Sequence, residues 1–170
     1  MTGFFINRAE PSEKEFFARL FQLYLHDFSA FASASDPYGV IGRDGLFEHE
    51  HIESYWTSDP ARIAFLTRVD GELAGFALAN DYAPSGQTCD RVLAEFFVMR
   101  KYRRAGIGRD AAHRLFGAHP GQWELSVAGY NRPALEFWRK VVTDPPLSEI
   151  EELAGEGQHQ GETIFRFRAG

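Results

Sequence analysis

The chain has 170 residues, 44% of them hydrophobic and 25% charged, a composition that excludes a disordered chain and supports one sizeable core. No apolar run approaches the roughly 18 residues of a membrane-spanning helix, and Met1–Arg8 lacks a secretory pattern. A net charge of −6 argues against nucleic acid as a partner, and a lone Cys89 excludes a disulfide framework and fits a reducing cytoplasm.

Phe4–Arg8 reads as an opening strand. Ser12 with Glu15 has the form of a capping box, and the helix it opens carries Phe16, Phe17, Leu20, Phe21, Leu23, Tyr24 and Phe28. That stripe is wide enough to demand cover over much of the helix. The aromatics read as core, or, from Tyr24 to Phe31, as one wall of a pocket. Residues 33–45 form a loop rich in Ser, Gly and Asp, and 45–57 has the spacing of a short second helix. Ala61–Val69 and Leu73–Asn80 read as a hairpin through Asp70-Gly71. Pro84-Ser85-Gly86 leads to an apolar run, Val92–Met99, of core-strand character and interrupted only by Glu95. A helix follows from Gly108 with Ala111, Ala112, Leu115 and Phe116 in register. Pro120-Gly121 stops it, Gln122–Ala128 alternates as a strand, and Asn131 caps a further helix with Pro133 in its first turn. Asp144-Pro145-Pro146 ends that helix. Leu147–Leu153 and Thr163–Phe167 read as closing strands with a mobile loop at 155–161. No repeat or linker divides the chain, so 1–170 reads as one domain.

The informative stretch is the junction after Glu95. Arg100 to Arg109 contains five basic residues and no acid. A buried strand, a turn with Gly106 and Gly108, and a helix N-terminus together make an anion site, because unpaired N–H groups and the helix dipole converge there. The spacing is neither a P-loop nor a dinucleotide fingerprint. None of the patterns of His26, His49 and His51 makes a metal triad, and Cys89 has no nearby His to activate it.

Arg103-x-x-Gly106-x-Gly108 after an apolar strand resembles the acyl-CoA pyrophosphate loop of the Gcn5-related N-acetyltransferases (GNAT). A second block, Asn131-Arg-Pro-Ala134-Leu-Glu-Phe137-Trp138, is similar to the family's N-x-x-A-x-x-hydrophobic-aromatic helix. The order and separation of the blocks match, and the resemblance is firm from about Arg91 to Val142. It implies an α/β (α+β) fold with a mixed, mostly antiparallel central sheet flanked by helices, and an acetyl-CoA-dependent N-acetyltransferase that needs no metal. The acceptor would be a small-molecule or peptide amine, with no nucleic acid or membrane as partner. A homodimer is common in this architecture.

The resemblance also distributes the chemistry. Backbone N–H groups of Arg103, Arg104, Ala105, Gly106, Ile107 and Gly108 would ring the pyrophosphate, with either arginine adding a charge-assisted contact. A β-bulge at Phe97 and Val98 would free backbone N–H groups for the pantetheine arm and the thioester oxygen, and Asn131 would contact the cofactor or serve as a plain helix cap. An alkylamine with a pKa of about 10 must lose a proton. Glu95 is the candidate base, and a structural ion pair is its alternative role. Trp138 stands where many members carry a Tyr thought to protonate the leaving thiolate, and an indole is no such acid. Tyr130 is the substitute. The same substitution opens a second reading, a CoA or acyl-CoA sensor module without turnover. A nucleic-acid binder using the basic loop is the third.

Overall fold

The structure, a computed structural model, describes residues 3–32, 39–49 and 52–170. Seven strands form one sheet: β1 (Phe4–Arg8), β2 (Ile63–Val69), β3 (Glu72–Asn80), β4 (Arg91–Val98), β5 (Gly121–Ala128), β6 (Ser148–Ala154) and β7 (Glu162–Ala169). Their order is β1-β2-β3-β4-β5-β7-β6. Every pairing is antiparallel except β4 with β5, so the sheet is mixed and mostly antiparallel. The β2–β3 hairpin turns on Asp70 and Gly71, at φ 53° and 86°, a left-handed pair that matches strand twist.

Period-2 patterning sends alternate residues to opposite faces. Phe65, Ala77 and Ala79 join a core under α2 (Ile107–Ala118) and α3 (Arg132–Thr143). Ala64, Leu66, Phe76 and Leu78 join a second core under α1 (Lys14–Phe28). α3 turns Leu135, Trp138, Val141 and Val142 inward, each such burial stabilising by roughly 1.5–3 kcal/mol.

The sheet opens at its centre. β4 and β5 pair only from Arg91–Leu93 to Trp123–Leu125, and beyond Leu93 the two strands part. β4 is irregular at the same place: Leu78 faces Glu95 while Ala79 faces Leu93, so Ala94 is an extra residue. The expected bulge at Phe97 and Val98 therefore lies three residues earlier, at Ala94. The extra residue shifts the strand's parity. Leu93 and Phe96, three apart, share the α2/α3 face, and Glu95 turns with Phe97 toward α1. An unbulged strand would put Glu95 on Leu93's face.

Two local expectations are corrected, and the expected loop between β6 and β7 is present. The chain enters α1 through a 3₁₀ turn, Pro11–Glu13, and it is the Glu13 carboxylate that accepts from the Glu10 N–H at 2.9 Å, in place of a Ser12–Glu15 box. Residues 45–57 are not one helix: among the described residues of that range only Ile52–Trp56 is helical, as a 3₁₀ turn. The Gln22 amide explains this, donating to Phe47 O at 3.0 Å and accepting from Phe47 N at 2.8 Å, while Ile41 bridges Phe47. That pairing holds Phe47 extended. The loop expected at 155–161 contains a 3₁₀ turn, Gly157–His159, with His159 Nδ1 2.9 Å from Glu162. Of the expected 33–45 loop, residues 33–38 lie outside those described.

Candidate active site

A cavity of about 460 Å³ occupies the gap between β4 and β5. Glu95 and Phe96 line it from β4, Ser126 and Ala128 from β5, Tyr24 and Phe28 from α1, and Tyr130 and Asn131 from the turn into α3. The structure thus brings Glu95 to one space with Tyr130 and Asn131, which lie far from it in sequence.

Glu95 is half-buried and opens onto this cavity. Burial pushes its carboxyl up to about 7, against the opposing pull of a hydrogen bond donated by the Tyr24 hydroxyl. Tyr24 is itself hemmed in by the rings of Phe21, Phe28, Phe76 and Phe97. Burial first, then the charge of Glu95, raises its phenol well above the ordinary range. It therefore remains a donor at neutral pH. A carboxyl that titrates near 7 at the floor of an aromatic pocket is matched to taking a proton under physiological conditions.

The open edge of β4 has defined polarity. Met99 N donates to Ala74 O at 2.8 Å, toward β3. The Phe97 carbonyl faces β3 as well, since a Cβ on Gly75 would stand 2.1 Å from it. Val98 O points the other way and accepts from Arg103 Nε at 2.7 Å. Of the expected backbone pair, Val98 presents its peptide to the gap and Phe97 does not, because peptide directions alternate along a strand.

Past the strand, a 3₁₀ turn at Arg100–Tyr102 leads to α2. Arg104 and Gly106 adopt left-handed φ, 64° and 82°. Gly106 is the N-cap residue, and its conformation suits a residue without Cβ. Asp110 N donates to Gly106 O at 3.0 Å and closes the first turn of α2, so the preceding N–H groups of Ile107 and Gly108 have no intrahelical acceptor. Gly108 answers to packing: a Cβ there would lie 3.3 Å from the Phe137 ring. Arg103 is committed elsewhere. It pairs with Asp27 at the end of α1 and lies 5.5 Å over Phe97. Arg100 binds the same carboxylate at 2.6 Å. Burial alone would raise the Asp27 carboxyl, but hydrogen bonds from Arg103 and Arg100 outweigh it and hold it low. Arg104 and Ala105 are exposed on the turn.

Asn131 caps α3, its side chain accepting from Ala134 N at 3.2 Å. Trp138 is core, in ring contact with Phe96, Phe116 and Phe137. Tyr130 is 59% exposed at the cavity mouth. Cys89 has its thiol pushed up to about 11, mainly by burial, so it is not a nucleophile. Among the described residues, no cluster of His, Cys, Asp and Glu is placed to hold a metal, and no helix is long and apolar enough to cross a membrane.

Tyr24 and Phe28 line the cavity, as the pocket-wall reading of Tyr24 to Phe31 expects, but the individual roles of Tyr24 and Asp27 are not legible from residue type. Each looks like part of an amphipathic helix until its partner, 71 or 76 residues away, is known. The available signal was their i, i+3 spacing, which places both on one side of α1.

The fit to an acyl-CoA rests on the unpaired β4 edge, the cavity behind it and the N–H groups at the α2 N-terminus. Comparisons with known proteins show the same fold. No curated protein matches the chain in sequence. Among solved structures, it is similar to an acetyltransferase from Thermus thermophilus at 19% identity and TM-score 0.63, covering 96% of this chain and 95% of that one. It also resembles a spermidine N-acetyltransferase from Vibrio cholerae solved with CoA and spermine (13% identity, TM-score 0.57, 96% and 93% covered). A third likeness is a ribosomal-protein-alanine N-acetyltransferase from Brucella melitensis (12%, 0.57, 98% and 99%). The model of the acetyltransferase (GNAT) family matches residues 17–142, most of the chain and both sequence blocks, and the protein belongs to that family.

Proposed function

We propose that the protein transfers an acetyl group from acetyl-CoA to a primary amine by direct attack, with Glu95 as general base. The observation that carries this reading is the placement of the Glu95 carboxylate in the β4–β5 gap, where it accepts a hydrogen bond from the Tyr24 hydroxyl. Acetyl-CoA would supply the activated thioester. The N–H groups of Gly106, Ile107 and Gly108, with Arg104 beside them, would hold its pyrophosphate. The Val98 peptide would pair with its arm once Arg103 Nε leaves the carbonyl. In the transfer a C–N bond forms and the C–S bond breaks. One ammonium proton passes to Glu95, directly or through one water, before attack. The second leaves the nitrogen as the tetrahedral adduct collapses to the amide, the electron pair departs on sulfur, and that proton goes to the thiolate. A thiol with a pKa of about 8.5 departs acceptably as thiolate, and Tyr130 at the mouth is the candidate to protonate it. The lone, inert Cys89 fits a cytoplasmic setting.

A sensor that binds CoA without turnover has one observation in its favour: Trp138, at the position where the family resemblance leads one to expect a phenol, is built into the core. Glu95→Gln separates the readings. The enzyme should lose ~100-fold or more in kcat with its acetyl-CoA Kd unchanged, read as free thiol released with an amine panel. Equal turnover in variant and parent would remove Glu95 from the chemistry.

A further inference from the structure

The walls of the cavity restrict which amine could enter. Tyr24, Phe28 and Tyr130 line it, and Phe31 packs beside the last two from outside the lining. Tyr24 contacts Phe28 at 5.8 Å, and Phe28 contacts Phe31 at 5.9 Å. Both phenylalanines meet Tyr130, at 6.2 and 5.8 Å. This links the end of α1 to the turn before α3. Phe31 is 38% exposed and Tyr130 59%, so these rings are not core filler. They form a rim open to solvent, above a carboxylate.

The charge of the lining is one-sided. Among the described residues its acids are Glu95 and Glu162, and no Lys or Arg lines it. The nearby guanidinium of Arg103 is held by Asp27 and Val98 O. The lining also holds His49 and the hydroxyls of Ser126 and Tyr130. With no Lys or Arg there among the described residues, an anionic group on the acceptor would be desolvated with no fixed positive charge to offset it. A cation would meet ring faces and a carboxylate. The two acids are not equivalent, because Glu162 is already bound to His159 at 2.9 Å. That leaves Glu95 to receive one ammonium group, which disfavours acceptors with several.

We infer that the acceptor is a primary monoamine on an aromatic or similarly apolar body, without an anionic group, its ammonium toward Glu95 and its body against Phe28, Phe31 and Tyr130. This rests on the acetyltransferase reading of the same cavity.

The test uses the purified full chain, with acetyl-CoA binding followed by calorimetry and acetylated product by mass spectrometry. Three probes are compared: 2-phenylethylamine, phenylalanine (the same body with a carboxylate) and spermidine. The expected result is a kcat/KM for 2-phenylethylamine ~100-fold or more above that for phenylalanine, and above that for spermidine. Phe31→Ala, at an exposed ring, should raise KM for 2-phenylethylamine several-fold while leaving acetyl-CoA affinity intact, and Phe31→Arg should narrow the preference over phenylalanine. Equal use of phenylalanine, a preference for spermidine, or acetyl-CoA binding with none of the three acetylated would each overturn the inference and leave the cofactor reading standing. Failure to bind acetyl-CoA would overturn both.

Discussion

Replacing Glu95 with Gln should stabilise the protein at alkaline pH and not at acid pH. The carboxyl titrates near 7 when folded, against an ordinary value of 4.5. Below about pH 4.5 both states hold the proton, and the burial carries no ionisation penalty. As pH rises, the unfolded chain releases its proton first, so the folded state binds more protons and stability falls until the folded group has also ionised. A separation of about 2.5 pH units at ~1.36 kcal/mol each gives about 3 kcal/mol lost between pH 4 and 8. Water entering through the cavity reduces that to about 2–3 kcal/mol. Gln keeps the size and still accepts from the Tyr24 hydroxyl, but has nothing to titrate. Urea unfolding of both proteins at half-unit steps from pH 4 to 8 measures the difference. The stability of the variant minus that of the parent should climb through the window between 4.5 and 7 and then level off. A difference that stays flat, or that climbs toward acid, would refute the assignment of a buried, proton-retaining carboxyl at this position.

Tyr24→Phe removes the hydrogen bond that pulls the Glu95 carboxyl down. The acid limb of the pH–rate profile for kcat/KM should therefore move to higher pH; an unmoved limb would mean that Tyr24 does not position the base. Gly75→Ala would drive a Cβ to 2.1 Å from the Phe97 carbonyl and should destabilise the β3–β4 pair by about 3 kcal/mol, measured by chemical denaturation. Arg166→Leu would strand Glu124, which is 0% exposed and otherwise held by Ser85. A loss of about 3–5 kcal/mol is expected, and a loss under 1 kcal/mol would show that Ser85 suffices.

What could be read in the sequence was what is local. Gly106 needs a left-handed φ and Asn131 caps its own helix, so the turn before α2 and the start of α3 are written in neighbouring residues. Glu95 was conspicuous as the one charge in an apolar run. Its environment was not legible, because it depends on Ala94 being an extra residue, and an apolar run carries no mark of where its parity breaks. The ring of Tyr24 looks like core on any helical wheel, and only the fold supplies the carboxylate it meets. Arg103 shows the same limit from the other side. Its spacing in the loop is right, yet its side chain is claimed by Asp27, a partner on a different element. The 45–57 segment has helical spacing, and the Gln22 amide on α1 overrides it by pairing with Phe47.

The proposed activity depends above all on acetyl-CoA sitting in the β4–β5 gap with its pyrophosphate at the α2 N-terminus. Calorimetric titration of the protein with acetyl-CoA tests this most directly, beside a Gly106→Trp variant whose fold is checked by circular dichroism. Saturable one-to-one binding by the parent, abolished in a folded variant, is the expected result. No binding by the parent, or equal binding by both proteins, would contradict it.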